Sequence, residues 1–578
     1  MLNPVLKSQD PVKIRLVFWC FGILLAAIQA IRYCYTLSSD DIVPYLDIAD
    51  AYLRGDWTNA INGNWSPLYS WLLGSILWLL KPSPAWEFQT VKLLNFLIFL
   101  FAFISFEFFL RQFILSVEKS PFLNRSKRSF QVPEWVWLCL GYTLFLFSSI
   151  YWIGVYCDTP DMVNSGFLYL AAGLILRIAL HPESWFNFIA LGGVLAFAYF
   201  SRAAMFPLSS VFLLVAFFSG KNLRQALPRT VVALLIFLLI ASPYITALSS
   251  KKGHLTFSET GKLSYVWFIH PTFFVIPDHF WQGEPPEFGT PKNPLQEIFS
   301  DPKVFEFGEP IGGTYPLWTD PSYWYEGIIA KLNLKALMRA FILNSLSYFR
   351  LFLGVLCFGF LILIIWSDRT QEALRNLASR WQLFVLAIAG LGLFIISTDF
   401  TANTMPTQPV TRFIAVFIVL LFAALYSTIQ LPNLRSTRAV ITGLTLATVA
   451  VVGLQLGTVA AKSGTEILFE KQENIHWQVA QGLSQLGIQP GDQVAILGPE
   501  MEHVFWARLA RVKITVQLPE LEEFWVKDEM IKANLLTAIK ATGIDVVVHP
   551  GKPLREIPDI QWQQVGDTQY YAYFPKSA

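Results

Sequence analysis

The sequence predicts a mostly α, polytopic transmembrane protein of about eleven spans, followed by a small extracytoplasmic α/β domain at the C-terminal end. Three observations predict it. Of the 578 residues, 54% are hydrophobic and only 15% charged, against roughly 25% charged in soluble chains. The apolar residues gather into runs long enough to cross a bilayer, and these runs fill most of the chain up to residue 461. From residue 462 the pattern changes to helical and strand segments in alternation. The expected domains are therefore a membrane domain over 1–461 and an α/β domain over 462–578.

A helix needs ~20 apolar residues to cross the hydrocarbon core. The runs that qualify are Leu16–Tyr35, Glu87–Phe113, Trp135–Val155, Met162–Leu180, Trp185–Phe200, Ala204–Phe218, Val231–Leu248, Tyr348–Trp366, Trp381–Ile396, Phe413–Ile429 and Val440–Val459. Ser66–Leu80 is apolar but brief, and Lys81, Pro82 and Pro84 follow it. Treating it as a helix lying on the outer face leaves the basic residues in alternate loops. Lys7, Lys13 and Arg15 fall in one of these, Lys119, Arg125, Lys127 and Arg128 in the next, and Lys221, Arg224 and Arg229 in a third. Basic residues mark the cytoplasmic side, so the N-terminus is expected in the cytoplasm of a cell whose inner (plasma) membrane holds the chain. The outer loops are then 37–86 and 249–346. The net charge of +2 gives no reason to invoke nucleic acid.

Two acidic sites fall on the outer side. The first loop reads SSDDIVPYLDIADAYLRGDW, with Asp40 and Asp41 directly after the first span. The turn YCDTPDM places Asp158 and Asp161 at the ends of two further spans. Each of these residues is chemically suited to capping a helix. Two such sites on one face, however, point to a shared polar cavity. Arg202 and Arg412 occupy very short outer turns, where the sidedness rule disfavours cations; the guanidinium fork suits phosphate oxygens. The long outer loop is rich in Pro, Gly and aromatics, a composition unlike that of disordered segments. His254, His270 and His279 fall in it without metal-ligand spacing. In the tail, IHWQVAQGLSQLGI and EHVFWARLA read as helices, and QVAILGP, KITVQL and DVVVHP as strands of a parallel sheet. The tail contains no GxGxxG, P-loop or GxSxG signature.

Together these residues resemble the GT-C superfamily of membrane glycosyltransferases, and within it the branch of protein O-mannosyltransferases and aminoarabinose transferases that modify lipid A. The resemblance covers roughly residues 16–429 and rests on Asp40-Asp41, Tyr45, Ile48-Ala49, Gly55-Asp56-Trp57, Ser66-Pro67-Leu68-Tyr69, Thr159-Pro160-Asp161-Met162, Arg202 and Arg412-Phe413. It implies a GT-C-like membrane domain that moves a sugar from a polyprenyl-phosphate donor to an extracytoplasmic acceptor, whether lipid, glycan or protein. In that role Asp41 is the expected general base, with Asp40 and Asp161 beside it, and Asp158, Arg202, Arg412 and Tyr45 bind substrate. Relatives that hold a metal carry a Glu where this chain has Asn64, so no divalent metal or other cofactor is carried over. A polysaccharide polymerase and a lipid or glycan flippase are the alternatives. Internal repeats and midplane charges, the usual transporter marks, are not evident in the sequence.

Overall fold

The computed structural model describes residues 10–119, 130–220, 222–269, 280–283, 286–350, 378–398, 410–429, 431–470, 472–552 and 560–575. The chain divides into two compact units. One takes Met1–Tyr33, Asn95–Ile269 and Asn333–Glu470; the other takes Cys34–Leu94, His270–Leu332 and Lys471–Ala578.

Among the described residues, six helices are long and apolar enough to cross a membrane: Pro11–Arg32, Pro84–Glu118, Glu134–Ile153, Asp161–Leu180, Leu223–Lys252 and Arg435–Phe469. Shorter apolar helices cover Trp185–Ser201, Met205–Ser219, Trp381–Ile395 and Ala415–Tyr426. Each expected span coincides with one of these except Tyr348–Trp366, which beyond Arg350 lies outside the described residues. The last helix is longer than the apolar run Val440–Val459 that announced it, because Arg435 to Ala439 and Ala460 to Phe469 continue the same backbone hydrogen bonding.

Small residues bring the helices of this first unit together. Apolar side chains gain little by leaving lipid for one another, so close backbone packing carries the association. A Cβ on Gly192 would stand 2.2 Å from the carbonyl oxygen of Ala233, so the helix Trp185–Ser201 lies directly on Leu223–Lys252. Gly166 and Gly173, two turns apart on Asp161–Leu180, do the same: their Cβ positions fall 3.3 Å from Ala102 Cα and 3.2 Å from Phe109 Cα.

The second unit contains the helix Ile42–Arg54, the short helix Trp57–Ala60, the apolar helix Pro67–Leu80 and a seven-stranded sheet. Gly74 of Pro67–Leu80 packs on Ala49, at 3.6 Å from a built Cβ to the Ala49 methyl. The strands are β1 Gln296–Ser300, β2 Lys303–Glu306, β3 Gln493–Leu497, β4 Lys513–Leu518, β5 Val546–Pro550, β6 Gln563–Gln564 and β7 Tyr570–Tyr573. Their order is β1-β2-β4-β3-β5-β7-β6. The centre, β4-β3-β5, is parallel, as the sequence predicts, with Val494 opposite Val546 and Ile514. These strands are near-continuous apolar runs because both faces are covered. The helix Glu529–Ala541 lays Leu535, Leu536 and Ile539 on the core of Ala495, Leu497, Val516 and Val547. Asp528 caps that helix, accepting from Ile531 N at 2.8 Å.

Two findings differ from the sequence expectation. The sheet is mixed rather than parallel, since β1, β2, β7 and β6 join antiparallel. And β1 and β2 come from the long loop, with Phe305 of β2 opposite Gln517 of β4. The sheet is therefore completed by residues outside 462–578.

Two outcomes are expected. Gly192→Val drives a side chain into backbone that has nowhere to move, at a cost of about 1–3 kcal/mol or more. Gly193→Ala meets nothing within 4 Å. In detergent, thermal melting should drop by several degrees for the first and stay unchanged for the second; equal melting would refute the packing described. The second expectation concerns acid. Burial pushes His503 down to about 3 and His549 down to about 4. Both folded values lie below the unfolded value of about 6.5, so the unfolded chain binds protons first. Their contribution is intact above pH ~6.5 and is lost as pH falls from there toward 4. Near-ultraviolet circular dichroism melts of the full-length protein should show this loss, attenuated in His549→Gln. A melting temperature flat from pH 7.5 to 4.5 would contradict it.

Candidate functional site

In the first unit, the helix Glu134–Leu146 runs into a π-helical turn over Phe147–Ile153. Such turns leave backbone groups without their usual partners. Gln29, buried on the first helix, supplies them: its Nε2 donates to Ile150 O at 2.9 Å and its Oε1 accepts from Val155 N at 2.9 Å. Gly154 then turns the chain with φ 82°, where a Cβ would meet the Tyr156 ring at 2.4 Å. The turn that follows carries Cys157, Asp158 and Thr159 and delivers Asp161 as the first residue of Asp161–Leu180.

All four site residues that the sequence singles out in this unit meet around that turn. Asp158 is fully buried and accepts from Asn95 Nδ2 at 2.9 Å. Asp161, 3% exposed, receives Thr159 Oγ1 on Oδ2 at 2.8 Å. Arg202 pairs with its Oδ1, and Arg412 Nε lies 3.1 Å from its Oδ2. Arg412 also donates from Nη1 to Cys157 Sγ at 3.3 Å. The Arg202 guanidinium stacks over the Phe413 ring, 3.9 Å from its centroid. Two guanidinium groups thus converge on one carboxylate, and with Asp158 counted the four formal charges balance. Phe413, Thr159 and the start of the helix hold it in place. Such a fork-lined, partly buried cation pair is suited to a phosphate. Asp161 itself acts on the arginines.

In the second unit, Asp40 and Asp41 lead into Ile42–Arg54. Asp41 stands at the N-cap position but makes no capping bond through its side chain, which removes the capping explanation for it. Asp40 Oδ1 accepts from Ser39 Oγ at 3.3 Å. Burial pushes the Asp40 carboxyl up to about 7, and the charges of Asp41 and Glu500 add to the rise. Tyr45 is 6% exposed and sits edge-on to Trp65 and Tyr69, at 5.1 and 5.2 Å between centroids. Gly55 and Asp56 of the GDW motif shape the chain: Gly55 ends one helix at φ 71°, and Asp56 caps the next by accepting from Asn59 N at 3.2 Å.

Sequence reasoning missed a cluster in this unit. Arg508, on the buried face of Val504–Ala510, has its Nη1 2.9 Å from Asp47 and 2.7 Å from Asp50, and its Nε 2.8 Å from Glu87. Arg511 also pairs with Glu87. Asp47 further accepts from Thr314 N and Oγ1 at 2.7 and 2.8 Å. The available signal was a lone arginine inside an otherwise apolar helical stretch, HVFWARLA.

His254 lies 3.1 Å from Glu259, and His270 and His279 lie outside the described residues. Among the described residues no three His, Cys, Asp or Glu side chains are grouped to hold a metal ion. Cys34 and Cys157 are not joined by a disulfide.

Fold and sequence together define the class: a polytopic helical membrane protein that carries an α/β domain. No family model and no curated protein matches the sequence. Among solved structures, the chain is similar to ArnT from Cupriavidus metallidurans in the apo state, at 14% identity over 97% of this chain and 98% of that one, with a TM-score of 0.48. It is similar to the same protein bound to undecaprenyl phosphate, at 12% identity, the same coverage and a TM-score of 0.49. It is also similar to the oligosaccharyltransferase of Archaeoglobus fulgidus in complex with Zn and sulfate, at 11% identity over 91% of this chain and 68% of that one, with a TM-score of 0.42.

Arg508→Ala should leave Asp47, Asp50 and Glu87 without the guanidinium they share. Losing one partner of a buried ion cluster costs about 3–5 kcal/mol. The expected result is a protein that inserts in the membrane but whose second unit melts well below the wild type, seen as early loss of near-ultraviolet signal. A wild-type melt would mean that the cluster contributes little.

Proposed function

We propose that this chain is an inner-membrane glycosyltransferase that moves a sugar from a polyprenyl-phosphate donor to an acceptor on the extracytoplasmic side. The observation that carries the reading is the Asp40–Asp41 pair, in which the Asp40 carboxyl is raised to about 7. A carboxylate poised near the working pH is an effective proton acceptor, whereas an ordinary Asp at about 3.9 is a weak one.

In the proposed reaction the acceptor hydroxyl attacks the anomeric carbon of the donor. The bond from that carbon to the phosphate oxygen breaks, with inversion. The hydroxyl proton passes to the aspartate pair, with Asp41 as the base and Asp40 tuning its proton affinity through like charge. The polyprenyl phosphate leaves with the negative charge, which Arg202 and Arg412 neutralise. Asp161 holds both arginines in a fixed orientation, and Asp158, through Asn95, fixes the turn that carries Asp161. The reading places the N-terminus in the cytoplasm and residues 462–578 outside. It gives the chain no cytoplasmic nucleotide-binding domain: the longest inner stretch between spans, Ile114–Glu134, is shorter than the ~30 residues a βαβ unit needs.

Purified protein supplied with a polyprenyl-phosphate sugar should turn it over, and Asp41→Asn should lower kcat by about 10²–10⁴-fold with normal expression. The base must be unprotonated, so activity should rise with pH, and Asp40→Asn, which removes the like charge beside Asp41, should move that rise to lower pH. Arg202→Ala should raise KM for the lipid donor more than for the acceptor. Full activity in both Asp40→Asn and Asp41→Asn, or turnover of a nucleotide sugar in a carrier-free assay, would end the reading.

A further inference from the structure

The second unit contains a polar cavity of about 230 Å³, whose lining includes Asp47, Asp50, Arg54, Thr314, Arg511 and Lys513. Its walls are fixed by backbone. Gly313 adopts φ 140°, and a Cβ there would come 3.0 Å from Asp47 Oδ2. Gly312 N donates to Asn59 Oδ1 at 3.2 Å.

The cavity's acceptors are engaged. Asp47 takes Thr314 N, Thr314 Oγ1 and Arg508 Nη1. Asp50 takes Arg508 Nη1 at 2.7 Å. Asp56 takes both the backbone and side-chain nitrogens of Asn59. The donors are in excess. Arg54 and Lys513 are exposed at the cavity, and among the described residues neither has a carboxylate within ion-pair distance. The buried Arg508 Nη2 has no hydrogen-bond partner among them. A ligand that completes this site brings acceptors. Arg54, Arg511 and Lys513 are three cations carried on two different elements, the end of Ile42–Arg54 and the segment leading into β4. That arrangement matches tetrahedral oxygens better than a planar carboxylate.

The charges are balanced: Arg54, Arg508, Arg511 and Lys513 against Asp47, Asp50, Asp56 and Glu87. A ligand with a single phosphate group therefore fits better than a polyphosphate. The volume is below the roughly 300–1,000 Å³ typical of drug-sized ligands, which suits a phosphate and the first atoms of its ester and excludes a nucleotide sugar. From these features we infer that the second unit holds a binding site for a phosphate ester, with Arg54 and Lys513 as its charged contacts. The site is built from residues other than Arg202 and Arg412, and the inference stands whether or not the chain transfers sugar.

The test uses full-length protein in an uncharged maltoside detergent, titrated with glycerol 3-phosphate and followed by phosphorus NMR. A parallel arm reconstitutes the protein in phosphatidylcholine nanodiscs with or without phosphatidic acid and measures retained lipid by native mass spectrometry. The wild type and the surface control Lys540→Ala should bind alike, and the double variant Arg54→Ala/Lys513→Ala should bind at least tenfold more weakly with an unchanged melting temperature. Loss of glycerol 3-phosphate binding in the double variant supports the site and assigns a soluble ester. Loss confined to phosphatidic acid supports the site and assigns a lipid headgroup. No saturable binding of either probe by the wild type, or equal binding by wild type and double variant, overturns the proposal. Because neither arm measures turnover, its outcome is independent of the activity proposed above.

Discussion

The second unit depends on the guanidinium of Arg508. Burying a charge is costly unless it is paired and hydrogen-bonded, and here one cation meets Asp47 and Asp50 of the first loop and Glu87 at the start of the long helix. Those partners lie as far as 461 positions away in sequence. The same contacts that balance the arginine therefore bind the C-terminal residues to the loop that carries Asp40 and Asp41. Thr314, bonded to Asp47 through both N and Oγ1, brings in the long loop. Three stretches of chain become one folded unit because none can leave its buried charge behind.

The first unit applies the same rule with the signs reversed. There a single carboxylate, Asp161, orders two arginines, and Gln29 steadies the turn that presents it by meeting the backbone groups that the π-helical segment leaves open. A polar side chain inside an apolar bundle is expensive, so it persists where it has a partner to fix. Gln29 and the Asn95–Asp158 pair are two such cases, and both steady the chain leading into Asp161.

Much of this was legible in the sequence. Apolar runs mark helices because every backbone group must be satisfied within lipid, and the runs of Val494–Leu497 and Val546–Val548 mark covered parallel strands. Asp158, Asp161, Arg202 and Arg412 were recognisable because charge in a short turn between spans is rare. The remainder was hidden for definite reasons. β1 and β2 hold only Ile298, Phe299, Val304 and Phe305 as apolar residues, too few for an alternation to register, and their partner strand is remote in sequence. Arg508 gives no local sign of its role, because its carboxylate partners are remote in sequence. Tyr45, expected from the resemblance to bind substrate, lies edge-on to Trp65 and Tyr69, contacts between rings that no local pattern announces. Within the acidic pair, it is Asp40 that is raised to about 7, chiefly by burial; burial is a property of the fold and leaves no mark on a pair of identical letters.

The sheet that joins β2 to β4 imposes an order on biogenesis. β1 and β2 are synthesised before the helices between Leu334 and Phe469, whereas β4 follows all of them. At about 5–20 residues per second, the ribosome leaves the open edge of β2 without its neighbour for on the order of ten seconds or more. An unpaired edge is a template for the wrong strand, so during that interval the nascent β1–β2 hairpin is the segment most exposed to misassembly and to capture by a chaperone on its side of the membrane.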